Sequence, residues 1–325
     1  MTSSRNTPHL DWGPDILAGF EQATFQGMPD DKGSVDVTLI RRRCRHSSGG
    51  AILYVHGFID YFFQDHLADF YNEQNLDFYA IDLRRHGRSL RPGQRPNFTV
   101  DIDEYLQDIN DAVGILREQE KIHWLLLNGH STGGLAAALY AHRGQHRKYV
   151  DALFLNSPFL DMNLPPWQTR FIEPLLSSLG KAFPYLPYPG LSPVHAQSVH
   201  IDRRGQWSFR TDWKPIEGFP VYAGWFRAIH RAQAEVAKGL NIECPCLVLH
   251  AERSVRLGKW HDDAYSSDIV LNIEDIKRLA PSLGSRVEIH AIAEGMHDLM
   301  LSRDTARERI WPLLRNWLDS THLNV

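Results

Sequence analysis

Short apolar runs and longer amphipathic stretches alternate along this chain from residue 50 to about residue 157. Ala51-Ile52-Leu53-Tyr54-Val55 reads as a buried strand, and residues 62–71 read as a helix. A second strand is predicted over 76–81. Residues 101–120 carry Ile102, Tyr105, Leu106, Ile109, Val113 and Leu116, a spacing that puts them on one helical face. A strand over 122–127, a helix over 135–140 and a strand over 150–155 follow. This rhythm predicts an α/β protein whose sheet is mostly parallel and covered by helices on both faces.

From about residue 158 to 235 the rhythm breaks. Prolines and aromatics crowd the segment, among them Pro165, Pro166, Trp167, Pro184, Tyr185, Pro187, Tyr188, Pro189, Trp207, Trp213, Trp225 and Phe226. Residues 182–193 are too rich in proline for a central strand or an unbroken helix. The rhythm then resumes, with strands over 246–250 and 286–292 and helices over 273–283 and 305–318. The expected organisation is a core formed by 1–157 and 236–325, with 158–235 inserted as a lid.

Composition changes this picture little. Of 325 residues, 43% are hydrophobic and 23% charged, which is ordinary for a globular chain. The formal net charge is −4, and the densest basic cluster, Arg41-Arg42-Arg43-Cys44-Arg45, follows an alternating strand pattern. It reads as a charged strand end, so no nucleic-acid partner is expected. Cys44, Cys244 and Cys246 form no disulfide framework, and Cys244-Pro245-Cys246 has the wrong spacing for a usual zinc site. The 17 histidines do not cluster at metal-binding spacings, so neither metal nor cofactor is expected. Residues 1–14 lack an apolar signal core, and no apolar run approaches a membrane span. The expected location is the cytoplasm.

The most informative stretch is Gly129-His130-Ser131-Thr132-Gly133-Gly134. It lies between a predicted strand and a predicted helix, the context that makes G-x-S-x-G a nucleophile elbow. Ser131 then sits on a tight turn at the sheet edge. The glycines remove Cβ atoms that would clash as strand and helix converge. The backbone N–H of Thr132 is placed to bind an oxyanion.

Three further motifs stand in order around the elbow. His56-Gly57-Phe58 follows the first buried strand. Asp82-Leu83-Arg84-Arg85-His86-Gly87-Arg88-Ser89 follows the second. Glu294-Gly295-Met296-His297-Asp298 lies late in the chain. Together these resemble the α/β-hydrolase family, in its monoacylglycerol lipase, lysophospholipase and serine aminopeptidase-like branch. The first motif resembles the family's oxyanion loop, which makes the Phe58 N–H the second oxyanion donor. The second resembles D-x-R-G-H-G-x-S, with Arg85 where glycine is usual. The third resembles the loop of the catalytic histidine, and segment 158–235 stands at the family's lid position.

A serine hydroxyl needs a base, and the base needs an orienting acid. The resemblance implies the order Ser131, acid, His297. His56 is expected to brace the oxyanion loop and His86 to pack a loop through a backbone hydrogen bond. His130 is fixed beside Ser131, a poor place for a base. The acid departs from the family pattern, because Ser254 stands where aspartate is expected. Asp268-Ile269-Val270-Leu271-Asn272-Ile273-Glu274 resembles the family's D-x-x-V-x-x-E helix entry. An insertion over 254–267 therefore separates strand from acid, and Asp268 is assigned. Glu252 stands next, at the strand end, followed by Asp262 and Asp263. Asp298 adjoins His297 too closely to reach its far ring nitrogen.

The resemblance implies a serine hydrolase of carboxylic esters. Its aromatic lid implies a small-molecule substrate with an apolar acyl chain. The same machinery would serve amide, peptide or C–C hydrolysis. A ligand-binding receptor on a decayed hydrolase fold is the non-enzymatic alternative.

Overall fold

The computed structural model describes residues 10–30, 33–163, 178–188 and 190–322. Pro165, Pro166, Trp167, Pro189 and the first nine residues, to which parts of the sequence reading apply, lie outside them. Among the described residues, nine strands form one sheet. They are β1 (Gly13–Pro14), β2 (Glu21–Gln26), β3 (Asp36–Arg42), β4 (Gly50–Val55), β5 (Asp77–Asp82), β6 (Trp124–His130), β7 (Ala152–Asn156), β10 (Cys246–Ala251) and β11 (Val287–Ile292). Their order is β1-β2-β3-β5-β4-β6-β7-β10-β11. Pairing is antiparallel as far as the β3–β5 contact and parallel from β5 to β11.

The central strands read as unbroken apolar runs because both faces are buried. Successive side chains serve opposite cores. In β6, Leu125 and Leu127 face one and Trp124 and Leu126 the other. The first core is closed by helices α2 (Asp103–Glu118), α3 (Thr132–Arg143), α5 (Ala223–Val236) and α6 (Ile273–Leu279). The second is closed by α1 (Asp65–Glu73) and α7 (Asp304–His322). Between β7 and β10 lie the short helix α4 (Val194–Val199), the two-residue strands β8 (Pro187–Tyr188) and β9 (Val221–Tyr222), and α5. Trp225, Ile229, Ala232 and Val236 seat α5 in the first core.

Element ends shift where a competing contact wins. The helix expected over 62–71 starts at Asp65, because Phe62 is drawn into the loop and donates its N–H to Asp82 at 2.9 Å. The helix expected to reach residue 283 stops at Leu279 and continues as a tighter turn. Pro281 cannot donate the next intrahelical bond. The basic cluster at the end of β3 is spent on carboxylates. Arg41 pairs with Glu21 and Glu120, Arg42 with Asp69, and Arg43 with Glu120.

The loop after β5 is held by buried charge. Arg84 and Asp108 of α2 are fully enclosed, with Nη2 to Oδ1 at 2.6 Å and Nε to Oδ2 at 2.9 Å. Removing Asp108 leaves Arg84 only the looser contact with Glu104 at 3.6 Å, at a cost towards the lower end of the about 3–5 kcal/mol for breaking a buried pair. Asp108→Ala should therefore lower the unfolding free energy by about that amount in a denaturant titration. A loss below roughly 1 kcal/mol, the level of an exposed pair, would contradict this account.

Candidate active site

β6 extends to His130 and α3 begins at Thr132, so Ser131 alone joins them. Its backbone lies at φ +53° and ψ −117°, a conformation that L residues adopt only when the surroundings enforce it. Here they do. The Ser131 N–H donates to the Asn156 carbonyl at 3.0 Å, and its own carbonyl accepts from Phe159 at 3.0 Å and Leu135 at 3.1 Å. Gly133 is required by close approach. A Cβ there would run into the carbonyl oxygens of Val55 and His56 at the end of β4.

The structure brings together Ser131, His297 and Asp268. His297 Nε2 lies 3.0 Å from Ser131 Oγ, and His297 Nδ1 lies 2.9 Å from Asp268 Oδ2. All three side chains are buried. The remaining Asp268 oxygen, Oδ1, accepts from the N–H groups of Val270 at 2.8 Å and Leu271 at 2.7 Å. An acid oriented this way requires the proton on Nδ1, which leaves the Nε2 lone pair facing the serine hydroxyl.

Asp268 reaches this place although the chain departs after β10. Ser254 and Asp268 are paired in an isolated parallel bridge. Val255 N–H donates to the Asp268 carbonyl at 2.9 Å, and Asp268 N–H to the Arg253 carbonyl at 3.0 Å. Residues 255–267 leave and return through this pinch, so Asp268 stands beside Ser254. Of the other acids considered, Glu252 is exposed. Asp263 is held by Arg253 and His261. Asp262 is exposed.

Asp298 points elsewhere. It accepts from Asn156 Nδ2 at 2.8 Å, Gln64 Nε2 at 3.2 Å and Met300 N–H at 3.0 Å. Burial raises its carboxyl, but His130, the Asn156 amide, Lys214 and Gln64 outweigh that and hold it below the usual range. It orders the His297 loop without touching the His297 ring nitrogens.

The histidines near the elbow serve the loops. His56 Nδ1 lies 2.8 Å from the Gly57 carbonyl, and His56 Nε2 accepts from the Leu83 N–H at 3.1 Å. The ring thus ties the loop after β4 to the loop after β5. His86 Nδ1 meets the Arg84 carbonyl at 2.8 Å. Arg85, in the place of a usual glycine, adopts φ +61°. Its guanidinium holds that turn by pairing with Asp30 and donating to the Phe98 carbonyl at 3.0 Å.

Phe58 packs against Trp225 with ring centroids 4.0 Å apart and ring planes tilted by 31°. Thr132 opens α3, and the N–H of a first helical residue has no intrahelical acceptor. Both residues, with Gly57, Ser131 and His297, line a cavity of about 350 Å³. Its other walls are mostly apolar and include Phe159, Met162, Ile216, Phe226, Leu257 and Ile269. The polar members include Asp60, His195 and Lys214. Lys214 Nζ is 2.7 Å from Asp60 Oδ1. Asp60, His130 and Asp298 bring potential metal-ligand atoms within 4.8 Å of one another, but the Lys214 ammonium already supplies a cation there. Nothing in the spacing of the sequence joins Asp60 to Lys214, or Asn156 to Asp298, and both pairs escape sequence reasoning.

A family model described as serine aminopeptidase, S33, matches residues 46–304. The chain belongs to this family. A monoacylglycerol lipase of Mycolicibacterium smegmatis is 26% identical over 206 residues, covering 63% of this chain and 70% of that one. A soluble variant of the monoglyceride lipase from Saccharomyces cerevisiae, solved with a substrate analog, superposes with a TM-score of 0.64 at 15% identity, covering 98% of each chain. A Paleococcus ferrophilus monoacylglycerol lipase gives 0.64 at 21% identity, over 87% of this chain and 99% of that one. These likenesses establish the α/β-hydrolase fold for this S33 family member. Among the described residues no helix is long and apolar enough to cross a membrane.

Desolvated imidazoles set a pH dependence, His86 and His130 among them, with His195 and His250 moved in the same direction. Burial, with His56 alongside, pushes His86 well below its usual range, and burial likewise lowers His130. Each therefore binds its proton less readily in the fold than in the unfolded chain, which takes up protons below about pH 6.5. Unfolding then binds protons, so stability falls as pH drops from about 6.5 towards the folded values. Melting curves should show a steady decline in Tm between pH 7 and 5. A flat Tm over that interval would refute the lowering of these imidazoles.

Proposed function

We propose that this protein is a serine hydrolase of carboxylic esters with an apolar acyl chain, of the monoacylglycerol or lysophospholipid kind. One observation carries the reading. The hydrogen-bonded series Ser131–His297–Asp268 opens into a mostly apolar cavity. The relatives named as monoacylglycerol lipases support it.

Ser131 Oγ attacks the ester carbonyl as His297 Nε2 takes its proton. Asp268 holds the imidazolium that forms. The carbonyl oxygen becomes an oxyanion bound by the N–H groups of Phe58 and Thr132, each contributing on the order of 3 kcal/mol to the transition state. The C–O bond to the alcohol breaks, and His297 returns the proton to the departing oxygen. Water, deprotonated by the same ring, then splits the acyl-enzyme and frees Ser131. Segment 158–235 serves in this reading as a cap that supplies much of the acyl wall, Ile216 and Phe226 among it.

An aminopeptidase would require an unpaired carboxylate to hold the substrate ammonium. Asp60 is the cavity carboxylate nearest the proposed oxyanion loop in sequence, and Lys214 neutralises it. That pairing favours the ester reading.

Ser131→Ala should abolish p-nitrophenyl butyrate turnover and labelling by a fluorophosphonate. Asp268→Asn should lower kcat by roughly 10⁴ through the wrong imidazole tautomer. Glu252→Gln should leave kcat unchanged. Full activity in folded Asp268→Asn would remove Asp268 from the mechanism, and a comparable loss in Glu252→Gln would transfer its role to Glu252.

A further inference from the structure

Residues 207–218, between α4 and β9, pack against the loop that leaves β4. Phe63 meets Phe209 with centroids 5.2 Å apart. The Tyr61 hydroxyl accepts from the Arg210 N–H at 2.7 Å, and its ring stands edge-on to Trp213 at 5.1 Å. At the centre Lys214 Nζ reaches Asp60 Oδ1 at 2.7 Å, with side chains only 7% and 3% exposed. The same small core includes Met296, the neighbour of His297.

This contact adjoins a strained stretch of backbone. Ile59, between Phe58 and Asp60, lies at φ +51°. A β-branched residue is a true outlier there and persists only where the surroundings over-determine it. Asp60, the next residue, is gripped from outside the loop by the Lys214 ammonium. A buried ion pair is a weak source of net stability, yet losing one partner strands the other. Its clearest use is to fix geometry.

We propose that Lys214 is a positioning residue. Through Asp60 it holds the Phe58–Ile59 turn so that the Phe58 N–H faces the oxyanion. The segment inserted between β7 and β10 thus completes the oxyanion hole as well as walling the cavity. The inference rests on the role given to Phe58 under the proposed function.

The test is Lys214→Met, assayed with p-nitrophenyl butyrate and with octyl trifluoromethyl ketone. The ketone adds to Ser131 as a tetrahedral adduct that needs the same donors. kcat should fall about tenfold or more, short of the roughly 10²–10³ expected for deleting a donor outright. KM should change less than kcat, since the Phe58 N–H acts on the transition state while Lys214 contributes one of many residues to the cavity wall. Inhibition by the ketone should weaken in step with kcat, in protein whose circular dichroism and Tm show it folded. A folded variant with wild-type kcat, or with raised KM alone, would overturn the proposal. Should Lys214→Met fail to fold, the double variant Asp60→Asn/Lys214→Met removes both charges together and is judged by the same readings. Turnover that survives Ser131→Ala would instead refute the proposed function. A dead Ser131→Ala beside a normal Lys214→Met refutes the positioning role alone.

Discussion

The site depends on one close approach, that of Gly133 in α3 to the carbonyls of Val55 and His56 at the end of β4. β4 and β6 are adjacent parallel strands, with Val55 opposite Gly129. The chain after β4 becomes the loop of Phe58, and the chain after β6 becomes the elbow of Ser131. Parallel pairing puts both strand ends at the same edge, and the missing Cβ lets α3 start against that edge. The two prospective oxyanion donors are therefore set by strand register. The left-handed turn at Ser131 is the cost of that geometry, offset by the Asn156 and Phe159 backbone bonds.

The loops above this edge are fixed by enclosed charge. Arg88 reaches Asp82 at 2.9 Å and Asp15 at 2.6 Å. Asp82 also accepts from the Phe62 N–H, and so ties the loop after β4 to the loop after β5. Arg84 with Asp108, Arg85 with Asp30 and Lys214 with Asp60 repeat the device. Each ion is desolvated, so it tolerates few arrangements of its partner. Arg85 shows the gain most plainly. It occupies a left-handed position suited to glycine, and its side-chain bonds hold a turn that glycine would hold by permissiveness alone.

What the sequence made legible follows from range. β4, β6, β7 and β10 were readable because burial on both faces leaves an unbroken apolar run. The elbow was readable because strand, turn and helix are contiguous. Asp268 was readable only through its neighbours, since Val270, Leu271 and the start of α6 kept a recognisable spacing behind it. Lys214 and Asp60, 154 positions apart, carry no such trace. Neither do Asn156 and Asp298, 142 apart. The ends of α1 and α6 moved because a side-chain acceptor and a proline decided them, which apolar periodicity does not register. Between β7 and β10 most described elements are short, but α5 is a regular 14-residue helix with Trp225, Ile229, Ala232 and Val236 on its buried face, and the sequence reading missed it among the neighbouring prolines and aromatics.

The insertion after β10 shows what constrains an acid in such a site. His297 Nδ1 requires a carboxylate at one point in space and is indifferent to its place in the chain. The Ser254–Asp268 bridge closes residues 255–267 into a side loop and returns the chain to within one strand spacing of its departure. That loop is not idle. Leu257 lines the cavity, Arg256 holds Asn163 at 2.7 Å, Tyr265 donates to the Arg204 carbonyl at 2.6 Å, and Arg204 lies over Trp260 at 4.1 Å. Asn163 and Arg204 both belong to the stretch between β7 and β10. Residues 255–267 therefore join Asp268, the cavity wall and that stretch into one packed unit. Asp268 is tied to the base of this loop by its backbone bonds to Arg253 and Val255.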